Sequence, residues 1–291
     1  MIMIKNRYAS FAIIFVVYVI AVAAGIFFYN FLEQVNQGEG LSYQLLLFAA
    51  DVFATLVVFI FSLIFKNASV YDPYWSVQPP VILVAVLIKV HSQTGSSGSL
   101  AGWLLFAVLF WALRLTANWC YNFKSFEYQD WRYLMLKEKT GRAYPLINFL
   151  GIHLFPTLVV YLCILPAVFV LVNGASIHPL CFAFLAVSLL ATVFQGIADV
   201  QMHKFRAEGS GGFIRSGLWK HARHPNYACE IFMWWGIGLT SVIALGGKWW
   251  LLAGALVNTL MFLFISIPMA DKRQSRKPGF DEYKKQTRFL F

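Results

Sequence analysis

Residues 217–230 read Gly-Leu-Trp-Lys-His-Ala-Arg-His-Pro-Asn-Tyr-Ala-Cys-Glu, a polar and basic run between two strongly apolar segments. The run ends in Glu230, and the apolar residues around it place this carboxylate inside a membrane helix. A charge at membrane depth costs about 3 kcal/mol, so an ionisable residue there usually has a partner or a function. This stretch therefore predicts a helical membrane fold with a functional site at Glu230.

The composition of the whole chain agrees with a membrane protein. Of its 291 residues, 59% are hydrophobic and 12% are charged, whereas soluble domains carry roughly 25% charged residues. A transmembrane helix needs about 20 apolar residues, and we count eight candidate spans, at 11–31, 45–65, 79–91, 101–121, 147–172, 180–200, 229–246 and 249–268. The sequence predicts an all-α, polytopic membrane helical bundle, in which the short third span is re-entrant or tilted.

The basic residues predict the orientation of this bundle. With the N-terminus in the cytoplasm, all of the 23 lysines and arginines except Lys89, Arg114 and Lys248 fall in cytoplasmic segments. Cytoplasmic loops of membrane proteins carry such an excess of positive charge, so we expect both termini to be cytoplasmic. The same loops explain the net charge of +10, and no nucleic-acid partner is expected. The host membrane would be a bacterial inner membrane or the endoplasmic reticulum.

Neither the cysteines nor the histidines predict a metal site or a disulfide framework. The cysteines form no Cys-x-x-Cys pair and fall in or near apolar spans, so we expect small buried thiols; they are Cys120, Cys163, Cys181 and Cys229. His221 and His224 have no further ligand nearby in the sequence, and a structural zinc site needs four.

A polar stripe leads into the basic run. Its members are spaced i, i+4, i+8 and i+11, which is one face of a continuous helix; they are Gln195, Asp199, His203 and Arg206. Asn226 and Glu230 share a face of the next helix, which Pro225 is suited to begin. The amides of that helix N-terminus, with Arg215, Lys220 and Arg223 just upstream, would favour an anion such as phosphate.

Two further ionisable residues lie within predicted spans. Arg114 either extends its side chain to the cytoplasmic face or points inward as a clamp for phosphate or carboxylate. Asp51 most simply makes a hydrogen bond at a helix end or between helices.

A second polar insert, Ser69-Val70-Tyr71-Asp72-Pro73-Tyr74-Trp75-Ser76, follows the second span. One interpretation is an interfacial belt of aromatic residues with a turn at Asp72 and Pro73. The other is a carboxylic acid beside phenols, since Asp72 with Tyr71 or Tyr74 could protonate a carbonyl.

Several of these residues resemble one enzyme family. Gly217, the run His224-Pro225-Asn226-Tyr227 and Glu230 resemble the C-terminal core of the steroid 5-alpha-reductase-like enzymes, and Phe280-Asp281-Glu282-Tyr283 resembles their closing motif. The resemblance covers residues 45–291, so residues 1–44 would add an N-terminal transmembrane helix and an outside loop to a seven-helix core. Sterol reductases and isoprenylcysteine carboxyl methyltransferases carry close relatives of the His-Pro-Asn-Tyr motif.

The resemblance implies a membrane-embedded reductase that takes NADPH from the cytoplasmic side. Its substrate would be a sterol-like or other lipid with a carbon–carbon double bond conjugated to a ketone. The catalytic carboxylate would be Asp72, an Asp where the family usually has Glu. The expected cofactor-binding residues are Arg114, Gln195, Asp199, Arg206, Arg223, Asn226, Tyr227, Glu230 and Arg276.

The chain departs from the family pattern at two positions. The proton-donating Tyr of the family falls at Trp111, and an indole cannot deliver that proton, so either Tyr71 or Tyr74 takes the role or the substrate is not a steroid enone. A His expected near the cofactor is missing from residues 271–276.

Two other functions compete with a reductase. An S-adenosylmethionine-dependent methyltransferase of the isoprenylcysteine carboxyl methyltransferase type would use the same His-Pro-Asn-Tyr corner. A non-enzymatic lipid-binding or transport protein would also have intramembrane charges such as Asp199 and Glu230. The polar stripe and the many arginines favour a phosphate-bearing dinucleotide, and no inverted repeat supports a transporter.

Overall fold

The computed structural model describes residues 4–36, 40–96, 98–209 and 211–290, and the chain within them is helical. Its α-helices are α1 (Arg7–Asn36), α2 (Tyr43–Ile64), α3 (Tyr74–Thr94), α4 (Ser99–Asn122), α5 (Trp131–Thr140), α6 (Tyr144–Ile147), α7 (Phe155–Asn173), α8 (Pro179–Ala207), α9 (Pro225–Ala244), α10 (Ala253–Met261), α11 (Ile267–Gln274) and α12 (Phe280–Gln286). Short π-helical segments at Asn148–Leu154 and Phe262–Ser266 precede α7 and α11. No β-strand occurs in the described ranges, where only Ala222 and Arg288 form an isolated bridge.

Eight helical segments of the described chain are long and apolar enough to cross a membrane, which confirms the predicted number. The prediction of a short third span at 79–91 is wrong, because that segment covers Ala68–Thr94 and has 27 residues. Pro79 and Pro80 lie inside α3 instead of at its start. The polar and aromatic residues before them lower the local hydropathy, but the fold buries most of these side chains.

The fifth segment is also longer than predicted, because it runs from Trp131 to Asn173 instead of 147–172. The additional residues, 131–146, form α5, the short helical turn Gly141–Ala143 and most of α6, and α5 carries charged side chains that a hydropathy pattern excludes. The cytoplasmic location of the termini and the boundary at residue 44 stay predictions, and residues 37–39 of the expected outside loop lie outside the described ranges.

The described chain forms two compact units. The first comprises residues 4–82 and 115–161. Within it α1 packs along α2, and a Cβ added to Gly25 would lie 3.2 Å from the Ala54 side chain. The core between these helices includes Val17, Ala21 and Val58. Small residues permit this close approach, as is usual between membrane helices.

The second unit comprises residues 83–114 and 162–290. Its dominant contact is between α8 and α9, and Gly236 on α9 faces Ser188 on α8. Gly254 on α10 similarly lies against the backbone of Leu162 and Cys163. All four cysteines of the chain are free thiols.

Replacing Gly236 by alanine should destabilise the second unit. The new Cβ would lie 2.1 Å from the Ser188 hydroxyl and 2.7 Å from the carbonyl oxygen of Phe184, so the α8 backbone would have to move. Overpacking of this kind costs about 1–3 kcal/mol, which unfolding in SDS mixed micelles would measure. Gly102→Ala on α4 is the matched control, because a Cβ there has no neighbour within 4 Å; equal effects of the two substitutions would contradict the prediction.

Candidate functional site

Glu230 is the centre of a buried polar cluster in the second unit. As predicted, α9 begins at Pro225, which places Glu230 in its second turn, where the side chain is 3% exposed. The indole N–H of Trp111 lies 3.0 and 2.9 Å from the two carboxylate oxygens. The Trp234 indole donates to the same group at 2.9 Å and the Gln195 amide at 2.6 Å. These donors satisfy a carboxylate that burial would otherwise leave without hydrogen bonds.

Arg114 points inward and connects this carboxylate to a second one. Its Nη1 atom lies 2.9 Å from Asp199, and its Nη2 atom lies 3.7 Å from Glu230. Arg114 thus points inward and does not extend to the cytoplasmic face, and its partners are carboxyl groups of this chain; a contact with a ligand stays a prediction. One guanidinium therefore faces two carboxyl groups inside the second unit.

Some polar atoms of the cluster are buried and have no hydrogen-bond partner. They are Gln195 Oε1, Asn226 Oδ1, and Arg114 Nε and Nη2. Gln195 is only 4% exposed, and its amide nitrogen already donates a hydrogen bond to Glu230. A buried polar group without a partner costs about 1–3 kcal/mol, so the arrangement fits a ligand that offers both a donor and an acceptor.

The polar stripe predicted from the sequence lies on one continuous helix, α8. One turn after Gln195 on α8, the Asp199 carboxylate is within electrostatic reach of His203 and Arg206 on the same helix. Arg206 is exposed at the end of α8. The stripe therefore runs from the buried cluster to the helix end, as the spacing predicts.

Positive charges gather beside this helix end. The pKa of Lys277 is lowered, first by partial burial and then by the neighbouring Arg273 and Arg206. The Lys277 ammonium also donates to the carbonyl of Gly212. Like charges held this close repel one another, and a phosphate group would relieve that repulsion.

Arg223 is placed differently from Arg206. It is buried, and its Nη1 atom donates to the carbonyl oxygens of Lys284 at 3.1 Å and Thr287 at 2.9 Å. Its Nη2 atom lies 3.4 Å from Asp271, which also accepts from His224 at 2.9 Å. These bonds attach the C-terminal residues to the loop before α9, and a phosphate contact by Arg223 stays a prediction.

The remaining expected cofactor residues lie at the edges of this region. The Tyr227 ring stacks on His224, with centroids 5.3 Å apart, and it packs against Phe262. Arg276 is exposed after the end of α11. Gly217 has a φ of 60°, and a side chain there would collide with the Gln201 amide, which accepts from Leu218 N at 2.9 Å.

An open cavity of about 400 Å³ lies along α8 and α9 in the second unit. Cys229 lines it and is within electrostatic reach of Arg114, Glu230 and Asp199. The other lining residues are mostly apolar and come chiefly from α8 and α9; they include Leu190, Phe194, Phe232 and Leu290.

Asp72 lies in the first unit, at the turn before α3. The Tyr133 hydroxyl donates to its carboxylate, which also lies within electrostatic reach of Arg132 and Asp130. Asp130, whose backbone N–H donates to Ser69 at 3.2 Å, forms an ion pair with Arg132 at 2.8 Å. The predicted turn at Asp72 and Pro73 is present, and the structure pairs Asp72 with Tyr133.

Tyr71 and Tyr74 are buried and have other partners. The Tyr71 hydroxyl lies 2.8 Å from the hydroxyl of Thr157, and the Tyr74 ring packs edge-on against the Tyr18 ring, with centroids 5.4 Å apart. Both phenols are thus in the same unit as Asp72, but neither is its hydrogen-bond donor. Their proposed proton-donating role stays a prediction.

Three side chains of these clusters are not predicted from the sequence, and they differ in how far a local pattern indicates them. Trp234 follows Glu230 by four residues on α9, a spacing that places it on the same helix face. Trp111 was visible as a departure from the family pattern, but its contact with Glu230 joins residues 119 positions apart. Tyr133 lies 61 positions from Asp72, and no local pattern indicates that pair.

A sequence family described as a protein of unknown function (DUF1295) matches residues 58–287. An uncharacterised protein of Schizosaccharomyces pombe is 25% identical to this chain, and the aligned region covers 62% of this chain and 59% of that protein. No solved structure matches the chain.

Proposed function

The chain belongs to a family of proteins of unknown function, DUF1295, and we propose that this member is an NADPH-dependent membrane reductase of the steroid 5-alpha-reductase-like type. Its substrate would be a sterol-like or other lipid with a double bond conjugated to a ketone. The observation that carries the proposal is the buried cluster around Glu230, with its unpartnered amide oxygens and arginine nitrogens.

The cluster fits the carboxamide of a nicotinamide ring. Gln195 Oε1 and Asn226 Oδ1 could accept the two amide hydrogens, and Arg114 Nε could donate to the amide oxygen. A primary amide offers this combination of donors and an acceptor. Glu230 would then be a positioning residue, because it accepts from the Gln195 nitrogen and thereby directs Oε1 away from itself.

The phosphates of the same cofactor fit the exposed end of α8. Arg206, Arg273 and Lys277 repel one another there, and guanidinium groups are well matched to phosphate oxygens. The stripe of Asp199 and His203 connects this end to the cluster. The arrangement thus supports a dinucleotide lying along α8.

Bound NADPH would supply a hydride to the substrate. The apolar cavity beside Cys229 supports a lipid as that substrate, because ligand sites are mostly apolar with a few placed polar groups. Asp72, with Tyr71 or Tyr74, stays the predicted source of the proton. The Trp111 indole donates to Glu230. In this proposal Trp111 therefore supports the residues that bind the cofactor.

Thermal unfolding of the detergent-purified protein with added NADPH, NADH or S-adenosylmethionine tests the proposal. A ligand that binds only the folded state at 100 times its Kd stabilises it by about 2.7 kcal/mol. We expect a clear shift with NADPH, a smaller shift in Asn226→Ala, and an unchanged shift in the control Asn173→Ala, which lies at the exposed end of α7. A shift with S-adenosylmethionine alone would replace the reductase by a methyltransferase.

A further inference from the structure

Buried hydrogen bonds connect the turn before α3 to the loop before α5 in the first unit. Asn67, at the start of the turn, donates to the carbonyl oxygens of Phe126 and Tyr128 at 3.0 and 2.9 Å. Two residues further along, the Ser69 hydroxyl accepts from the backbone N–H of Asp130 at 3.2 Å. Asn67 and Ser69 are 3% and 1% exposed. Because hydrogen bonds shielded from water are electrostatically stronger, these contacts hold the two segments in one register.

A further contact between the same two segments joins Tyr133 to Asp72. The Tyr133 hydroxyl donates to Asp72 Oδ1. The backbone of Tyr133 is held by Asp130, whose carbonyl oxygen accepts from the Tyr133 N–H at 3.1 Å. The Asp130 carboxylate also caps α5, because it accepts from the backbone N–H of Arg132 at 2.9 Å. The residue that bonds to Ser69 therefore also determines where Tyr133 begins.

The aromatic ring of Tyr133 is held by packing as well. It is 8% exposed and forms a core cluster with Ala68 and Ile152, against which Leu136 also packs. A supporting side chain holds a functional group in position when packing restricts its own rotamer. The Tyr133 hydroxyl is thus directed at Asp72 by both the backbone and the ring.

The bond from Tyr133 makes the two carboxyl oxygens of Asp72 chemically different. A phenol has one hydrogen to donate, and that of Tyr133 is donated to Oδ1. A protonated carboxyl group carries its hydrogen on one oxygen and accepts hydrogen bonds with the other. Since Oδ1 is the accepting oxygen here, the acid hydrogen of Asp72 belongs on Oδ2.

We propose that Tyr133 is the positioning residue of Asp72, because it holds Oδ1 and thereby presents Oδ2 as the oxygen that gives a proton to the substrate. This role rests on the proposed function, and it replaces Tyr71 and Tyr74 as the phenol that acts with Asp72. The proton leaves Asp72 Oδ2 and forms an O–H bond with the carbonyl oxygen of the enone, as the β-carbon gains a C–H bond and the double bond is reduced. The resulting enol returns to the ketone in water. Each turnover consumes one hydride equivalent from NADPH and one proton from water, which restores the Asp72 acid.

A double-mutant cycle tests the contact without cofactor or substrate. Tyr133→Phe removes the hydroxyl and keeps the ring, and Asp72→Ala removes the carboxyl group. In SDS mixed micelles we expect the double variant to lose less stability than the sum of the two single variants. Tyr8→Phe is the control, because Tyr8 is 82% exposed and its effect should add to that of Asp72→Ala. Additive losses for Tyr133→Phe and Asp72→Ala would overturn the positioning role.

Turnover distinguishes a positioning residue from a structural one, and it applies even if Asp72→Ala does not fold. With NADPH and a steroid 4-en-3-one as the probe, Asp72→Asn should lower kcat roughly 100-fold or more, as for a lost proton donor. Tyr133→Phe should lower kcat by up to roughly 100-fold, as for a misplaced catalytic group, with an unchanged KM for NADPH. Since Tyr133 acts through Asp72, Tyr133→Phe added to Asp72→Asn should lower kcat no further. Normal kcat in Tyr133→Phe, or a further loss in the double variant, would contradict the positioning role.

The NADPH-dependent thermal shift separates this role from the reductase proposal. Tyr133 and Asp72 are not among the residues assigned to the cofactor, so Tyr133→Phe should keep the full shift of the wild type. A lost shift would show that Tyr133 acts on the cofactor site, which would overturn the role assigned to it. If the wild-type protein shows no shift and does not reduce the probe, the reductase proposal and its proton transfer fail. The double-mutant cycle then decides alone whether Tyr133 positions the Asp72 carboxyl group.

Discussion

Arg114→Leu is expected to lower the free energy of unfolding by about 3–5 kcal/mol, the range for removal of one partner of a buried ion pair. The guanidinium lies 2.9 Å from Asp199 and 3.7 Å from Glu230, and leucine would leave both carboxylates without their shared cation. Unfolding in SDS mixed micelles, with helix content as the signal, measures the change. Arg142→Leu is the control, because Arg142 is exposed in the first unit.

A rescue experiment separates lost charge compensation from lost packing. Adding Asp199→Asn to Arg114→Leu removes one of the two uncompensated carboxylates and should restore part of the stability. A double mutant as unstable as the sum of the single mutants would show that the two residues are not coupled. A cost below about 1 kcal/mol for Arg114→Leu would indicate a solvated surface pair instead.

Glu230→Gln is expected to abolish most of the NADPH-dependent thermal shift. The carboxylate accepts from Trp111, Trp234 and Gln195, and an amide in its place has one acceptor oxygen and a nitrogen that faces other donors. Gln195 would lose its fixed orientation, and charge-assisted bonds of this kind are worth about 1.5–3 kcal/mol, or roughly 10–100-fold in affinity. Titration calorimetry with NADPH measures the affinity directly.

The control for this substitution is Glu138→Gln, since Glu138 is exposed on α5. Trp111→Phe supplies a second test, because it removes one donor and keeps the charge of Glu230, and a smaller loss of affinity is expected. The unliganded Glu230→Gln protein should lose about 1–3 kcal/mol for its unpaired donors. NADPH affinity equal to that of the wild type would remove Glu230 from the cofactor site.

The large features of the fold could be predicted because they depend on local patterns. Apolar runs of bilayer length determine the membrane helices, so all eight were found, and the spacing of Gln195, Asp199, His203 and Arg206 was enough to place them on one face of α8. The third span was misjudged because hydropathy cannot distinguish polar residues that face water from those, such as Gln78, that the fold buries.

In the candidate site, too, the individual residues were predictable from the sequence and their contacts were not. Glu230, Arg114 and Asp199 were recognisable from the sequence because a charge in an apolar run is rare and costly. Their mutual contacts, and the pairing of Asp72 with Tyr133 instead of Tyr71 or Tyr74, join residues that are far apart in the chain, so no local pattern predicts them.

The sequence by itself determined a multi-pass helical membrane protein, a polar stripe along α8 and an ionisable centre at Glu230, since each follows from the period of one helix and the free energy of burying charge. Only the tertiary structure decided that Trp111 donates to Glu230 and that Thr157 connects Tyr71 to Thr55. These contacts depend on which helix faces pack together, and packing depends on side-chain shape across many positions, which no local pattern in the chain records.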